Sequence, residues 1–403
     1  MRRLLLRTVE TVIFGQSGLK SVEQIKIMGS EIGLFYELLQ VAIGSRNCLS
    51  SIPSSTTWEA LYRLAVKQTV LGVCFYGIQK LPARQTTNIS RSLKIKWLGG
   101  AARIQTQNEL MNKRCVELQR SLCKDGLSSC ILKGQANAAT YPSSLSNLRQ
   151  PGDIDVWVDG EFKELEKYVN NSAPTKEITR HHAHFNLFGD AEVELHFLPL
   201  ILNNPFKQKI FNRYCKEKIE VSCKNNVVLS DGKSMISTPN KEFNLVFQLL
   251  HIFHHLFTEG VGLRQLLDYY FLICATNTCQ HSGTVNEDDD SVNNAIVLIH
   301  ELNLDRFASS LMFVLHKVFG LKEHRMLWRL DTEYGQILLD EIMETGNFGY
   351  LDDRTPKGMN KWKSYLYGNG KALRLGCFDH WAWFWTPLTR FFWYVWRKRR
   401  GYN

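Results

Sequence analysis

Two segments near the middle of the chain alternate strictly between polar and apolar residues. Residues 153–158 read DIDVWV, and residues 191–197 read AEVELHF. Because successive side chains of a β-strand point to opposite faces, the acidic residues of each segment share one face. The pattern predicts two half-buried strands, each of which presents carboxylates on one side.

The segments on either side of these strands have the spacing of amphipathic helices. Leu61, Leu64 and Ala65 share one face of a predicted helix, and the chain has a helical pattern up to about residue 125 and again from residue 240. Residues 276–294 interrupt this pattern with a polar, acidic stretch. We predict that this stretch is a solvated loop.

Together the patterns predict an α+β fold in which a small mixed β-sheet is flanked by N- and C-terminal helical regions. We expect four parts, divided where the pattern changes. They are an N-terminal helical region at residues 1–125, an α/β core at 126–235, a C-terminal helical domain at 236–330, and a C-terminal extension with an aromatic and basic tail at 331–403.

Composition narrows the class of protein. The formal net charge of +10 suits a partner that carries phosphate. The ten cysteines include no Cys-x-x-Cys pair, which gives little support to a structural zinc site. We read no signal peptide and no apolar run long enough to span a membrane, and free thiols suit a reducing compartment. We therefore expect a cytoplasmic location.

The segment Gly152-Asp153-Ile154-Asp155 carries the chemistry. Two carboxylates that project from one face of a strand can chelate divalent cations, which phosphoryl transfer needs to neutralise its charged transition state. A third carboxylate must come from a neighbouring strand, and we choose Glu194, with Glu192 as the alternative. A pair of solvated acids at a strand edge would have the same spacing.

Several motifs resemble one known family. They are LKG at residues 132–134, RQPGDID at 149–155, VELH at 193–196, and the flanking segments 58–68 and 251–268, the second of which includes GLRQLLD at 262–268. Together they resemble the uncharacterised bacterial nucleotidyltransferase family within the DNA polymerase β-like superfamily. The resemblance implies a mixed sheet flanked by helices and transfer of a nucleoside monophosphate from a nucleoside triphosphate to an unidentified acceptor hydroxyl, with release of pyrophosphate.

The resemblance also implies roles for individual residues. Asp153, Asp155 and Glu194 would be catalytic and would hold two Mg²⁺ ions, with Mn²⁺ as an alternative, and Glu194 could act as the base. The glycine turn that faces the triphosphate falls at Gly134. Gln135 follows it, where the superfamily usually has serine or a second glycine.

Four more residues complete the expected substrate site. Lys133 could bind phosphate as a point charge, although an ordinary exposed lysine fits equally well. Arg149 could touch phosphate, brace a carboxylate or form a structural salt bridge. Gly152 precedes the acidic pair, and His196 could orient a metal ligand or contact phosphate.

Other histidines cluster in the sequence. His181, His182 and His184 precede the second acidic strand, and we favour a surface strand with scattered histidines over a site. The segment 251–255 places three histidines on a probable helix, where packing or substrate contact is the expected role. Arg264 and Asp268 have the spacing of an intrahelical pair, and their helix could also close over the cleft.

Residues 380–403 combine many aromatic residues with the basic run Arg397-Lys398-Arg399-Arg400, and Pro387 argues against one long straight helix. The tail could dock on the protein body, lie on an anionic membrane such as the inner membrane face, or stack on nucleic acid. Two alternatives to an enzyme stay open. One is a non-catalytic nucleotide-binding or scaffold protein, and the other is a membrane or nucleic-acid adaptor that acts through this tail.

Overall fold

A computed structural model provides the structure of the chain. Side chains of 22–29, 287–289 and 361–367 are not described. The backbone is described for residues 22–172, 175, 177–276, 287–349 and 361–401.

The N-terminal part of the described chain consists of helices. Two of them are preceded by a serine whose hydroxyl oxygen accepts a hydrogen bond from the backbone N–H three residues further along. Thr57 N–H donates to Ser54 at 3.1 Å, and Leu93 N–H donates to Ser90 at 3.2 Å. The helices are α1 (Val22–Ile43), α2 (Ser55–Lys67), α3 (Leu71–Lys80) and α4 (Arg91–Lys124).

The middle of the chain forms a four-stranded mixed sheet in the order β1-β2-β4-β3, and a separate two-stranded hairpin of β5 and β6. The parallel pair is β2–β4, and β1–β2 and β3–β4 are antiparallel. The strands are β1 (Ser129–Ile131), β2 (Ile154–Val158), β3 (His182–His184), β4 (Val193–His196), β5 (Asn226–Val228) and β6 (Met235–Ser237). The helices between them are α5 (Gln135–Ala138), α6 (Ser143–Ser146), α7 (Phe162–Ser172) and α8 (Pro205–Lys224).

The rest of the described chain is helical, which confirms the α+β fold with a small mixed sheet and helical flanks. Its helices are α9 (Lys241–Thr258), α10 (Leu263–Ala275), α11 (Glu287–Glu301), α12 (Asp305–Phe319), α13 (Thr332–Thr345), α14 (Lys361–Arg374) and α15 (Ala382–Arg399).

The two faces of β2 contribute to two different apolar clusters. Ile154 and Val156 pack in a smaller cluster with Leu118 of α4. Trp157, on the opposite face, stacks on Phe243 of α9 with 5.0 Å between ring centroids and belongs to the larger cluster of the helical regions. The predicted alternation is confirmed, but the prediction of a half-buried strand is wrong because helices cover both faces.

Two further predictions need correction. Residues 277–286 lie outside the described residues, but Glu287–Asn294 form the first half of α11 instead of a loop. Acidic residues in a first helical turn interact favourably with the helix dipole, so a charge run is compatible with a helix start. The last helix, α15, continues through Pro387. Proline lacks the N–H that would donate to the carbonyl of Trp383 in a regular helix. This carbonyl lies in an exposed part of the helix.

The larger cluster contains residues of both helical regions, such as Phe35 and Phe247, and of the C-terminal extension, such as Leu338. The helical regions therefore share one apolar core beside the sheet. The four-part division of the chain stays a prediction.

Candidate active site

The parallel pairing of β2 and β4 brings the predicted carboxylates together. Asp155 lies directly opposite Glu194 in the register, and Asp153 immediately precedes β2. The Asp155 side chain is 1% exposed and that of Glu194 is 20% exposed. Glu192, the alternative third acid, is exposed and precedes β4. The geometry therefore favours Glu194 as the partner of the pair.

Asp155, Glu194 and His196 form a group whose metal-ligating atoms all lie within 4.8 Å of one another. The Oδ2 atom of Asp155 is buried and has no hydrogen-bond partner among the described residues. A buried carboxylate oxygen without a partner is costly, and a divalent cation would satisfy it. The donor set therefore fits a metal ion. Among the described residues, Asp153 is not part of any such group of potential metal ligands. It does line the cleft that Asp155 borders.

His196 lies between the two acids. Its Nε2 atom is 3.0 Å from Asp155 Oδ1 and 3.4 Å from Glu194 Oε2. Burial opposes a charged imidazole, but hydrogen bonds to Asp155 and Glu194 outweigh burial and raise the pKa of His196 to about 9. Burial would likewise raise the pKa of Glu194, but the hydrogen bond from His196 and the charges of His182 and His196 lower it to about 2. His196 therefore contacts both acids through one ring nitrogen, an arrangement that suits the predicted role of orienting a metal ligand.

Lys133 contacts the same carboxylate oxygen of Asp155 as His196 does. Its Nζ atom donates to Asp155 Oδ1 at 3.1 Å and lies 3.3 Å from Nε2 of His251 on α9. Burial disfavours the charged amine, but the charges of Asp155, Asp153 and Glu194 raise the pKa of Lys133 above its usual range. The lysine is largely buried among acids instead of standing as an ordinary exposed side chain.

The turn after β1 depends on glycine. Gly134 has φ of +64° and ψ of −110°, a conformation that side chains rarely adopt, and a Cβ built there would lie 3.6 Å from the Asp153 carbonyl oxygen. Gln135 begins α5, but its side chain is buried and donates to Oδ1 of Asn112 on α4. The side chain that replaces the usual serine or glycine thus points away from the cleft and braces the turn.

Arg149 forms a buried bidentate salt bridge with Asp268 of α10, in which both N–H···O distances are 2.7 Å. Tyr141 and Asn137 also donate to the Asp268 carboxylate, at 2.6 and 3.1 Å. Of the roles open to Arg149, the structure shows the salt bridge. The expected intrahelical pairing of Arg264 with Asp268 is wrong, because Arg149 and these two donors surround the carboxylate.

Arg264 is the second cation on the side of the site that α10 forms. Its Nη1 donates to the Gln150 carbonyl oxygen at 3.0 Å, and its buried Nε has no partner in the described part of the chain. Burial first, and then the charge of Arg149, lower the pKa of Arg264 to about 10. A Cβ at Gly152 would lie 3.6 Å from Arg264 Nη1, so this glycine keeps the approach to the guanidinium open.

Most of these groups line one cleft, namely Lys133, Gly134, Arg149, Gly152, Asp153, Asp155, Arg264 and Asp268. Glu194 and His196 are not among its described lining residues and lie beside it, against Asp155. Helix α10 contributes Arg264, Gln265 and Asp268 to the lining of the cleft, and closure of this helix over the cleft stays a prediction. The cleft also contains residues that sequence reasoning missed, because uncharged amide and aromatic side chains give no signal of chemistry by themselves, even where, as for Gln265, they lie within a segment that resembles the family. They are Asn137, Gln248, Gln265 and Phe348.

The remaining histidines lie close by. On α9, His255 Nε2 is 3.0 Å from His251 Nε2, and burial lowers the pKa of His251 well below its usual value. This fits the expected role in packing and polar contact. His182 and His184 lie half-buried on β3, at the edge of the sheet and beside Glu194.

Comparison with known proteins yields one match. The model of a family described as uncharacterised nucleotidyltransferase matches residues 54–320, which is more than half of the chain. This confirms the resemblance to nucleotidyltransferases. No curated protein and no solved structure matches. Within the described residues, none of the helices combines the length and the apolar character that a membrane crossing requires.

Proposed function

Because this chain belongs to the uncharacterised nucleotidyltransferase family, we propose that it transfers a nucleoside monophosphate from a nucleoside triphosphate to an acceptor hydroxyl and releases pyrophosphate. The observation that carries the proposal is the in-register pair of Asp155 and Glu194, in which Asp155 Oδ2 has no hydrogen-bond partner from the described residues. A buried oxygen of this kind, at the edge of a cleft that also holds cations, suits the binding of a metal–triphosphate complex.

We assign Asp153, Asp155 and Glu194 as the residues that hold the divalent cations. Bound there, two Mg²⁺ or Mn²⁺ ions would neutralise phosphate charge and orient the attacking and leaving oxygens. Glu194 is near enough to Asp155 to share a cation with it, and in this proposal it also accepts the proton of the acceptor hydroxyl. His196 holds Asp155 and Glu194 in place from the side.

The triphosphate is proposed to bind against Lys133, the Gly134 turn, Gly152 and Arg264. Arg264 enters this set because its Nε atom has no partner among the described residues and its side chain lines the cleft. Guanidinium groups bind phosphate through several N–H donors at once. Arg149 and Gln135, which we also expected to bind substrate, act indirectly, since their side chains hold α10 and the glycine turn.

The test is Mg²⁺-dependent transfer of label from nucleoside triphosphates in a cell lysate, with the label on either the α- or the γ-phosphate. We expect the α-label to reach an acceptor with wild type and not with the double variant Asp153→Asn, Asp155→Asn. Asp159→Asn is the matched control, because Asp159 is exposed and lies just past the end of β2. Transfer of the γ-label alone would contradict nucleotidyl transfer.

A non-catalytic nucleotide-binding protein would behave differently in this assay. It would bind Mg²⁺–nucleotide without transferring label. If the double variant also bound nucleotide as wild type does, the assignment of the acidic pair would be wrong.

We propose further that α15 contacts an anionic membrane surface. Arg397 pairs with Glu177 at 2.7 Å, and Arg400 pairs with Glu166, so the helix end is held on the sheet region. The other side is apolar and basic: the most exposed aromatic residues are Trp381, Trp383, Phe391, Phe392 and Tyr394, and Lys398 and Arg399 are exposed beside them. Aromatic rings with basic residues at one helix end suit an interfacial membrane helix.

Sedimentation with phosphatidylserine vesicles tests this contact. We expect binding that falls in the variant Phe391→Ser, Phe392→Ser and that is weak on neutral phosphatidylcholine vesicles. Salt-sensitive binding to single-stranded oligonucleotides, without vesicle binding, would favour the nucleic-acid alternative instead.

A further inference from the structure

The edge strand β3 adds histidines to the acidic face of the sheet. In the antiparallel register, His184 lies opposite Glu194, and His182 lies opposite His196. Residues two apart on a strand project to the same side, so both histidines lie on the face of the sheet that carries Glu194 and His196. This arrangement combines two imidazoles from one strand with a carboxylate from its neighbour.

The ligating atoms of His182, His184 and Glu194 lie within 4.8 Å of one another. His182 Nε2 is 3.8 Å from Glu194 Oε1, which is too long for a hydrogen bond. Ligand atoms around a tetrahedral Zn²⁺ ion are separated by roughly 3.3 Å, given Zn–N and Zn–O distances of about 2.0–2.1 Å. A small contraction of the three side chains would therefore complete a cation site.

Two features orient these side chains. His182 Nδ1 lies 2.9 Å from His181 Nε2, which directs the other nitrogen of the His182 ring toward Glu194. A second hydrogen bond of this kind is typical of histidines that bind metals. The two oxygens of Glu194 also face different partners, since Oε1 is nearest His182 and Oε2 lies 3.4 Å from His196.

We propose that His182, His184 and Glu194 form a separate site for a transition-metal ion, of which Zn²⁺ is the best match. Imidazole ligands favour Zn²⁺ over Mg²⁺, whose preferred ligands are oxygens. Three protein ligands leave a coordination position open for a substrate or water oxygen. Glu194 would then bridge this ion and the cations of the acidic pair. The site goes beyond the proposed reaction, which does not require β3.

The experiment is titration of the metal-free full chain with Zn²⁺ alone, followed by calorimetry and by metal analysis after gel filtration. His184→Gln keeps a polar side chain of similar size and should weaken Zn²⁺ binding at this site by at least as much as the loss of a partner that supports a ligand, roughly 10- to 100-fold. His182→Gln should do the same. His300→Gln is the matched control, because that side chain is 78% exposed and lies outside the sheet.

The variant Asp155→Asn distinguishes the proposed Zn²⁺ site from a site formed by the acidic pair. We expect the Zn²⁺ affinity that depends on His184 to persist in this variant, with circular dichroism showing the wild-type fold in every protein compared. Equal Zn²⁺ binding by wild type and both β3 histidine variants would overturn the proposal. Loss of all Zn²⁺ binding in Asp155→Asn would also overturn it, since the ion would then belong to the acidic pair. The readout is metal binding, so absence of nucleotidyl transfer does not affect it.

Discussion

Two buried aspartates on opposite walls of the cleft differ in how their oxygens are partnered. On the helical wall, Asp268 is 3% exposed and accepts hydrogen bonds from Arg149, Tyr141 and Asn137 at both oxygens. On the strand wall, Asp155 is 1% exposed, Oδ1 accepts from Lys133 and contacts His196, and Oδ2 has no partner within the described part of the chain. The comparison teaches that burial alone does not mark a functional acid. An acid whose oxygens are all partnered stabilises the fold, and one with a partnerless oxygen is suited to bind a ligand.

The largest effect is expected on the strand wall. Glu194→Gln should reduce transfer by about 10³- to 10⁵-fold, the range seen when a group that stabilises charge in phosphoryl transfer is lost. The control is Glu192→Gln. Glu192 is exposed and lies just before β4, so this variant should transfer label at close to the wild-type rate. Initial rates of α-label transfer measure both. Equal losses in the two variants would remove Glu194 from its assigned role.

The next effect is on stability and belongs to the helical wall. Arg149→Met leaves Asp268 buried without its cation, which should lower the free energy of unfolding by roughly 3–5 kcal/mol. Urea denaturation followed by circular dichroism measures it. The double variant Arg149→Met, Asp268→Leu should recover much of the loss, because the buried charge is then gone. A single variant as stable as wild type would show that the salt bridge does not hold α10 in place.

A smaller effect is expected at the second cation of the helical wall, Arg264. Arg264→Met should raise the KM for the nucleoside triphosphate by roughly 10- to 100-fold, because a hydrogen bond to a charged group contributes about 1.5–3 kcal/mol. The control is Arg213→Met, since the Arg213 side chain is 68% exposed in a surface pair. If the KM stays constant and only the unfolding midpoint falls, Arg264 serves the fold and not the substrate.

The smallest effect concerns the glycine turn. Gly134→Ala should cost about 1–2 kcal/mol of stability from its left-handed backbone, and it should also weaken nucleotide binding. Gly126→Ala is the control, since Gly126 also has a positive φ, +80°, and has open space around its Cβ position. Thermal unfolding and nucleotide titration of both variants compare the two turns. Equal nucleotide affinity in both would mean that the Gly134 turn does not contact the triphosphate.

The strand wall could be predicted from the sequence, and the helical wall could not. Alternation with a period of two is a local property, so it placed Asp153 and Asp155 on one face of their strand, and Glu192 and Glu194 on one face of theirs, before any packing was known. The pairing of β2 with β4 then brings Asp155 opposite Glu194. The salt bridge between Arg149 and Asp268 joins residues 119 positions apart, and only tertiary packing brings them together. Local spacing instead suggested that Asp268 pairs with Arg264.

The same distinction explains the two errors in secondary structure. An acidic run such as Glu287–Asp290 and a proline such as Pro387 are judged from local preference, which neighbouring structure can override. Helix α11 begins at the acidic run, and α15 continues through the proline.

The central claim, that the acidic pair holds the cations for nucleotidyl transfer, is tested most directly by Mn²⁺ binding. Electron paramagnetic resonance can count Mn²⁺ ions bound to the full chain in the presence of a non-hydrolysable nucleoside triphosphate, in wild type and in Asp155→Asn. The account predicts that the variant binds fewer ions than wild type while keeping its fold. Identical Mn²⁺ binding by the two proteins would contradict the claim, whatever their activities.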